Sequence, residues 1–559
     1  MRASHLSRIT RILACASLLA AGQAGAAVFT VGADGICTHA SIQAAIAAAA
    51  ANGPGEDEVR VTVGTWTQQS LQVTDQSLLL SGGWSSCAAD ATQGNRTTLV
   101  GGPQVGSPGT NAVLLISATD NNQQTVTLRG FVIRDGHGGP DGNGAGIDAG
   151  GAVRLVLQET EVFANQASGN GGGIAMQGPQ TGFGGILELH AGVRVGDNQA
   201  GGYGGGIYLD RATLRMRADR TEIGNNVASW GGGIAALRSS IGIGNAGEPE
   251  MQDDASGALI TSNGALVGGG VYLDQRSLFD AHELRLSSNL ASRMGGGVYA
   301  TGNAQVQFAR DYPNAMAVRC QGNACSRIQG NQAGNGCPGT SGEGGGLYLD
   351  NASAYLSQVE ILDNCAWGSP ALISWGTRLN MEGVVVARNR LSWRDGINYT
   401  GRQAITFASR NGNPLATANL AFATFADNVE VKGDGSTVPA SATSVISNSG
   451  GWQFTVQGVA SADLLVLSEG ANAYGNCNKL AVPRSDFFDA ANGDYRPQPQ
   501  GSLVDACAQE QVSYEYRDPR LVARCTDHSR PDQGGKCDIG AYETPYVAPA
   551  DRIFANDFE

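Results

Sequence analysis

Lysine is almost missing from this chain. There are three in 559 residues, Lys432, Lys479 and Lys536, so chemistry that needs a lysine base has no foothold over the first 431 positions. Histidine is nearly as scarce. His39, His137, His190, His282 and His528 fall in unrelated contexts, no Gly-x-Ser-x-Gly elbow occurs, and no Ser-His-Asp constellation can be assembled. Cys-x-x-Cys is absent, which removes the common zinc frameworks. Beyond the N-terminus no run approaches about 18 consecutive apolar residues, so no transmembrane segment is expected. Positive charge is also short: 36 Lys and Arg face 50 Asp and Glu, a formal charge of −14. Such a chain repels phosphate backbones, and nucleic acid is excluded as a partner.

Glycine is what the chain has in abundance, 81 residues, about twice the usual share. It comes in a repeating triplet followed by an aliphatic residue: Gly171 to Ile174, Gly204 to Ile207, Gly231 to Ile234, Gly268 to Val271, Gly295 to Val298 and Gly344 to Leu347. A weaker copy begins at Gly144. Upstream of each full triplet stands Asn-x-Ala, at Asn165, Asn198, Asn226, Asn263, Asn289 and Asn331. Differences between successive triplet starts are 27, 33, 27, 37, 27 and 49, which reads as a 27-residue unit with insertions of 6, 10 and 22.

One unit shows the plan. Gly206 to Asp210, Ala212 to Arg217 and Thr221 to Gly224 are three short alternating runs punctuated by turns, with no helical period between them. Three strands per turn, in register, predict an all-β right-handed parallel β-helix, with the post-triplet aliphatic residues stacked as an inward column. Gly permits positive φ and close backbone approach at a corner, and stacked Asn amides can bond from coil to coil. Looser Asn positions at 364, 389 and 428 extend the coils to about residue 475.

The ends differ. Residues 1–27 read as a signal peptide: Arg2, Arg8 and Arg11, an apolar core, then Ala24-Gly25-Ala26. Residues 28–109 form an N-terminal cap with a short Ala-rich helix N-capped by Ser41. Residues 110–475 are the β-helix, 476–545 a disulfide-tied C-terminal cap, and 546–559 a tail. With Cys15 in the signal, ten cysteines remain: Cys37, Cys87, Cys320, Cys325, Cys337, Cys365, Cys477, Cys507, Cys525 and Cys537. An even number in an exported chain points to disulfides, and neighbour pairing is one of many connectivities open to them.

The Asn-x-Ala…Gly-Gly-Gly units, with Phe425-Ala426-Asp427-Asn428, resemble repeats of the polymorphic outer membrane protein type. The C-terminal segments Gly493-Asp494-Tyr495-Arg496 and Asp538 to Glu543 resemble the choice-of-anchor Q region of bacterial β-helix proteins. That resemblance implies a secreted or surface protein of adhesive character. The membrane barrel that ends the outer-membrane family has no counterpart in the sequence after residue 476.

Candidate chemistry lies at a few places. Asp210, Asp274 and Asp350 each end a Tyr-Leu-Asp strand, six residues past a triplet start, while the other units carry Gln177, Leu237 and Thr301. Two coils apart, roughly 9–10 Å, they cannot share a Ca²⁺ and sit at the edge of an inverting-glycosidase pair. No positive partner or base is evident beside them, so the plainer reading is solvated strand ends. Glu248, Glu250, Asp253 and Asp254 share one insertion and could gather Ca²⁺, the one cofactor considered, though a charged loop is the commoner case. The segment Asp135 to Asn143 fits no EF-hand spacing. Tyr208, Tyr272, Tyr299 and Tyr348 follow the column aliphatics and, by alternation, should form an outward stripe able to stack on sugar rings or to pack under inserted loops. The reading is an exported, monomeric, non-catalytic binder of an extracellular polysaccharide or surface protein. The alternative is a polysaccharide lyase or glycoside hydrolase that uses the aspartates with the tyrosines as a sugar platform.

Overall fold

The aliphatic residue after each glycine triplet determines how the coils stack. In the computed structural model Ile147, Ile174, Ile207, Ile234, Val271, Val298, Leu347, Leu372 and Ile405 pair rung by rung in one parallel column. All are shielded from solvent. No single coil could bury such a residue; each gains about 1.5–3 kcal/mol only because neighbours lie above and below. The structure describes residues 26–53, 55–102, 112–138, 141–181, 184–216, 221–244, 257–308, 326–337 and 341–391, the strands between 405 and 467, and residues 484–489, 494–504, 538 and 542.

The chain is a right-handed parallel β-helix. The hand follows the rule for parallel crossovers. A 13-stranded sheet carries the post-triplet strands, and a 26-stranded sheet carries the next two ladders of each coil. A fourth wall was not evident in the sequence: short strands such as Gln166–Ala167, Gln199–Ala200, Gln332–Ala333 and Cys365–Ala366 pair in parallel between the Asn and the triplet. Two residues are too few to show an alternation, so three strands per coil were expected where there are four. We call this wall the arm.

Corners explain the glycines. The first of each triplet takes a left-handed conformation, φ +65° at Gly204. At the second the limit is space: a methyl carbon on Gly205 would lie 2.5 Å from the carbonyl oxygens of Gly232 and Val227 in the next coil.

Asparagine fills the opposite corner. Asn198 Nδ2 donates to Asn226 Oδ1 at 3.0 Å and to the Val162 carbonyl at 2.9 Å, while the Asn198 backbone N–H donates to the same Oδ1 at 3.0 Å. The side-chain relay runs unbroken through Asn165, Asn198, Asn226, Asn263, Asn289, Asn331, Asn364 and Asn389. A buried amide column is tolerable because each member's polar atoms are satisfied by its neighbours. Asn428 lies outside the described residues.

Coil pairing begins early. Val28–Val31 pairs in parallel with Asp57–Thr62, then with Leu78–Trp84 and Gln124–Arg129, so the first rungs lie within the segment read as a cap. The helix Ile42–Asn52 buries Ile42, Ala45, Ile46 and Ala49 against this end, and Ser41 Oγ accepts the Ala44 N–H at 3.2 Å. Cys37–Cys87 and Cys337–Cys365 are disulfides. Cys320, Cys325, Cys477, Cys507, Cys525 and Cys537 lie outside the described residues.

Described pieces of the C-terminal region lie along the flank. Phe487–Asp489 and Asp494–Pro497 form an antiparallel pair, and Tyr542 and Tyr495 pack on Leu362, Val385 and Ala387. Those three point outward. One rung before Val385 and Ala387 the same two columns carry Glu360 and Leu362, and two rungs before them Arg327 and Gln329, so the wall turns apolar where the C-terminal region covers it. The Tyr542 hydroxyl donates to Glu360.

Candidate functional site

The aspartates take up the alternation expected of them. Asp210 pairs across the sheet with Gln177 on one side and Leu237 on the other, Leu237 pairs with Asp274, and Asp350 with Trp375. No two of the three occupy adjacent rungs. The expectation that Asp210 lacks a positive partner is corrected: Arg238 donates through Nε at 3.1 Å and Nη2 at 2.6 Å to Oδ1, and Arg211 Nη2 lies 2.9 Å from Oδ2. Arg211 adjoins Asp210 in sequence, whereas Arg238 reaches it only by stacking. Both oxygens are thereby occupied, which makes Asp210 a strut between coils. Asp274 instead accepts the Gln275 N–H at 2.6 Å and the Tyr272 hydroxyl at 3.4 Å. Among the described residues no three His, Cys, Asp or Glu gather as a metal site. Glu248, Glu250, Asp253 and Asp254 lie outside the described residues.

The tyrosine stripe forms, with one correction: it is covered. Tyr208, Tyr272 and Tyr348 are buried, and Tyr299 is half-buried. Tyr272 and Tyr299 stack at 5.5 Å, Tyr299 and Tyr348 at 5.2 Å. Burial pushes the Tyr208 hydroxyl up to about 12, with Asp210 adding to it, and burial also raises Tyr272. What covers the stripe is the arm: Tyr203, Val267 and Met294 pack onto it, and Tyr203 stacks on Trp230 at 4.8 Å. Outward direction and exposure part company here because the arm folds over the outside of the wall that carries the post-triplet strands. Two rungs before Tyr208 in this outward column sits Asp148, which burial pushes up to about 7, helped by repulsion from Asp141.

With the tyrosines covered, the exposed apolar surface is on the arm itself. Of the nine large hydrophobics that stand exposed among the described residues, Val227, Trp230, Leu266, Leu290 and Trp367 belong to it. Their columns are defined by register. Gln199, Val227, Gly264, Leu290, Gln332 and Cys365 follow one another along the coils, as do Tyr203, Trp230 and Val267, and then Met294, Glu343 and Gly368. A groove of about 700 Å³ opens on this wall, lined by Leu266, Ser292, Arg293, Met294, Asn335, Ser341, Gly342, Glu343 and Trp367. The Cys337–Cys365 disulfide fixes its side, since Asn335 and Ser341 belong to the segment that the bond ties to the arm strand. Arg293 is exposed and makes no ion pair among the described residues.

The sequence does not mark this groove, for a definite reason. The residues that repeat at fixed offsets, aliphatic, Tyr and Asp, stand downstream of the triplets, and among the insertions only the one with Glu248, Glu250, Asp253 and Asp254 shows a ligand-like pattern. Groove residues lie upstream, where identity and loop length change from coil to coil. The usable signal was Trp230 immediately before Gly231 and Trp367 before Gly368, aromatics at a corner with nothing in the periodic pattern to cover them.

The widest sheet presents a second polar cluster. Glu188 is held by Arg154 Nη2 at 3.0 Å, Arg215 Nη1 at 3.0 Å and His190 Nε2 at 3.5 Å, and it is lowered to about 2 by its bonds to His190 and the two guanidiniums. It too is saturated. Compared with protein-family models, curated proteins and solved structures, the chain matches none.

Proposed function

We propose that this is an exported, monomeric, non-catalytic binding protein that works at the cell surface or outside the cell and holds an extended extracellular carbohydrate along its arm. The observation that carries this reading is the row of exposed Trp230, Leu266, Leu290 and Trp367 on one wall, beside a groove whose lining mixes an indole, aliphatic carbon and hydroxyl, amide and charged groups. Aromatic faces take the apolar face of a sugar while the polar groups take its hydroxyls, and contiguous exposed apolar surface of this kind marks recognition sites. A row repeated along a stack also suits a polymer. Export is supported by the signal-like residues 1–27 and the even cysteine count. Location at the surface is supported by the resemblance of the triplet units to polymorphic outer membrane protein repeats and of the C-terminal region to choice-of-anchor Q.

The test combines a glycan array with a depolymerisation assay on the same purified protein. Expected is binding to at least one extracellular polysaccharide without release of new ends, lost in a Trp230→Ala/Trp367→Ala double variant that melts as the parent does. Product release from any polysaccharide establishes the alternative, a lyase or glycoside hydrolase, and the aspartate column is then the first place to mutate. Unaltered binding by the double variant moves the site off the arm.

A further inference from the structure

Three successive rungs of the arm define the groove more narrowly than its outline does. Met294 bridges Glu343, and Glu343 bridges Gly368, so the residues one step earlier, Arg293, Gly342 and Trp367, also lie on consecutive coils. Backbone bonds fix the order: the Glu343 N–H donates to the Arg293 carbonyl at 3.0 Å and the Gly368 N–H to the Gly342 carbonyl at 3.0 Å. Arg293 and Trp367 are therefore two rungs apart, roughly 9–10 Å. The rung between them is a glycine, at φ +104°, where a methyl carbon would run into the Ala333–Gly334 backbone at 2.4 Å. In the slot between the guanidinium and the indole the middle rung therefore places no side chain. Leu266 and Met294 supply apolar surface, and Ser292, Asn335, Ser341 and Glu343 supply hydrogen-bonding groups around it.

On that geometry, and resting on the carbohydrate reading above, we propose that the slot is a subsite for one uronate residue of an acidic polysaccharide. The sugar ring lies against Trp367 and its carboxylate pairs with Arg293. An indole accepts the C–H face of a pyranose, and an arginine fork that no carboxylate holds among the described residues is matched to a planar anion through two parallel N–H···O bonds. Asn335 and Ser292 are placed for the ring hydroxyls, and Glu343 can accept a hydrogen bond from one of them. The chain's overall charge of −14 does not oppose this at contact distance. Exposed charges further away than about 8 Å are largely screened at physiological salt, so the nearest cation decides. Cys337–Cys365 takes part as a positioning element, because it holds the loop that carries Asn335 and Ser341.

The experiment measures binding of oligogalacturonate and alginate oligomers by calorimetry, each beside its carboxyl-reduced neutral form, with poly-glutamate as the anionic peptide control. Expected is a preference of about tenfold for at least one uronate oligomer over its reduced form. Arg293→Gln should bring that ratio to about one, Arg293→Lys should restore part of it, and Trp367→Ala should weaken both forms. Melting curves of each variant show whether it is folded. Equal binding of the charged and reduced forms, a preference that survives Arg293→Gln, or equally tight binding of poly-glutamate overturns the uronate subsite. Equal binding of the two sugar forms leaves carbohydrate binding standing, whereas binding of neither form, with no glycan held on an array, overturns both.

Discussion

Two adjacent columns of this molecule, one residue apart in every coil, behave in opposite ways. The inner column is Asn at Asn165, Asn198, Asn226, Asn263, Asn289, Asn331, Asn364 and Asn389, and its members are buried along nearly the whole length. Next to it, facing out, stand Gln166, Gln199, Val227, Gly264, Leu290, Gln332, Cys365 and Arg390, with almost no repetition. The Asn side chain meets four bonding demands that recur at each corner, and no other residue has the amide geometry to meet them. The neighbouring position meets solvent at most coils, with Cys365, buried in its disulfide, as the exception. Repetition in this chain marks what the stack requires, and its breakdown marks where recognition can be built.

That contrast can be broken or sharpened by mutation. The largest effect should come at a fixed corner. Gly205→Val forces a side chain into the Gly232 and Val227 carbonyls and should cost about 4 kcal/mol or more, read as a collapse of the thermal transition without any ligand present. A parent-like melt would remove the structural role given to the triplet. Asn263→Ala comes next. It leaves the Asn226 backbone N–H and Nδ2 without their shared acceptor, and about 3 kcal/mol should be lost in denaturant unfolding. In the outward column beside it, Val227→Gln should change stability by no more than about 0.5 kcal/mol, since half of that side chain is already in water. Equal costs for Asn263→Ala and Val227→Gln would erase the distinction.

Two carboxylates in other outward columns give opposite pH signatures. Asp148 is raised to about 7 in the folded chain from an ordinary 3.8, so its contribution is intact below about 3.8 and is lost as pH rises through 7. Asp148→Asn should therefore stabilise the protein by about 2 kcal/mol at pH 8 and leave it unchanged near pH 3.5. Glu188 is the reverse, lowered to about 2 from 4.5, with its stabilisation present above 4.5 and lost as pH falls towards 2. Its arginine partners are 40% and 53% exposed, so solvent screening keeps the effect near 1 kcal/mol. Glu188→Gln should lose that amount at neutral pH and flatten the acid limb of the unfolding curve between pH 4.5 and 2. An unchanged limb would place the proton uptake elsewhere.

Much of the architecture was legible because it repeats. The inward aliphatic column, the glycine corners and the Asn relay each follow from a residue type that recurs at one offset, and each is a demand that every coil places on the next. The candidate site was legible only in part. Alternation gave the direction of the tyrosines correctly but said nothing of their exposure, because the arm strands that cover them, such as Gly264–Val267 and Leu290–Met294, are short and share no residue pattern from coil to coil. The pairing of Asp210 with Arg238 joins residues 28 positions apart in sequence and depends on the length of the loops between.

The sequence alone determined a parallel stack of coils, the residues at its corners and the inward face of its walls, since these obey a period that one chain displays many times. Tertiary structure alone decided which outward face meets water. Burial of an outward side chain depends on whether another wall folds across it, and on this chain that covering wall is the aperiodic arm, whose own outer surface then becomes the exposed one.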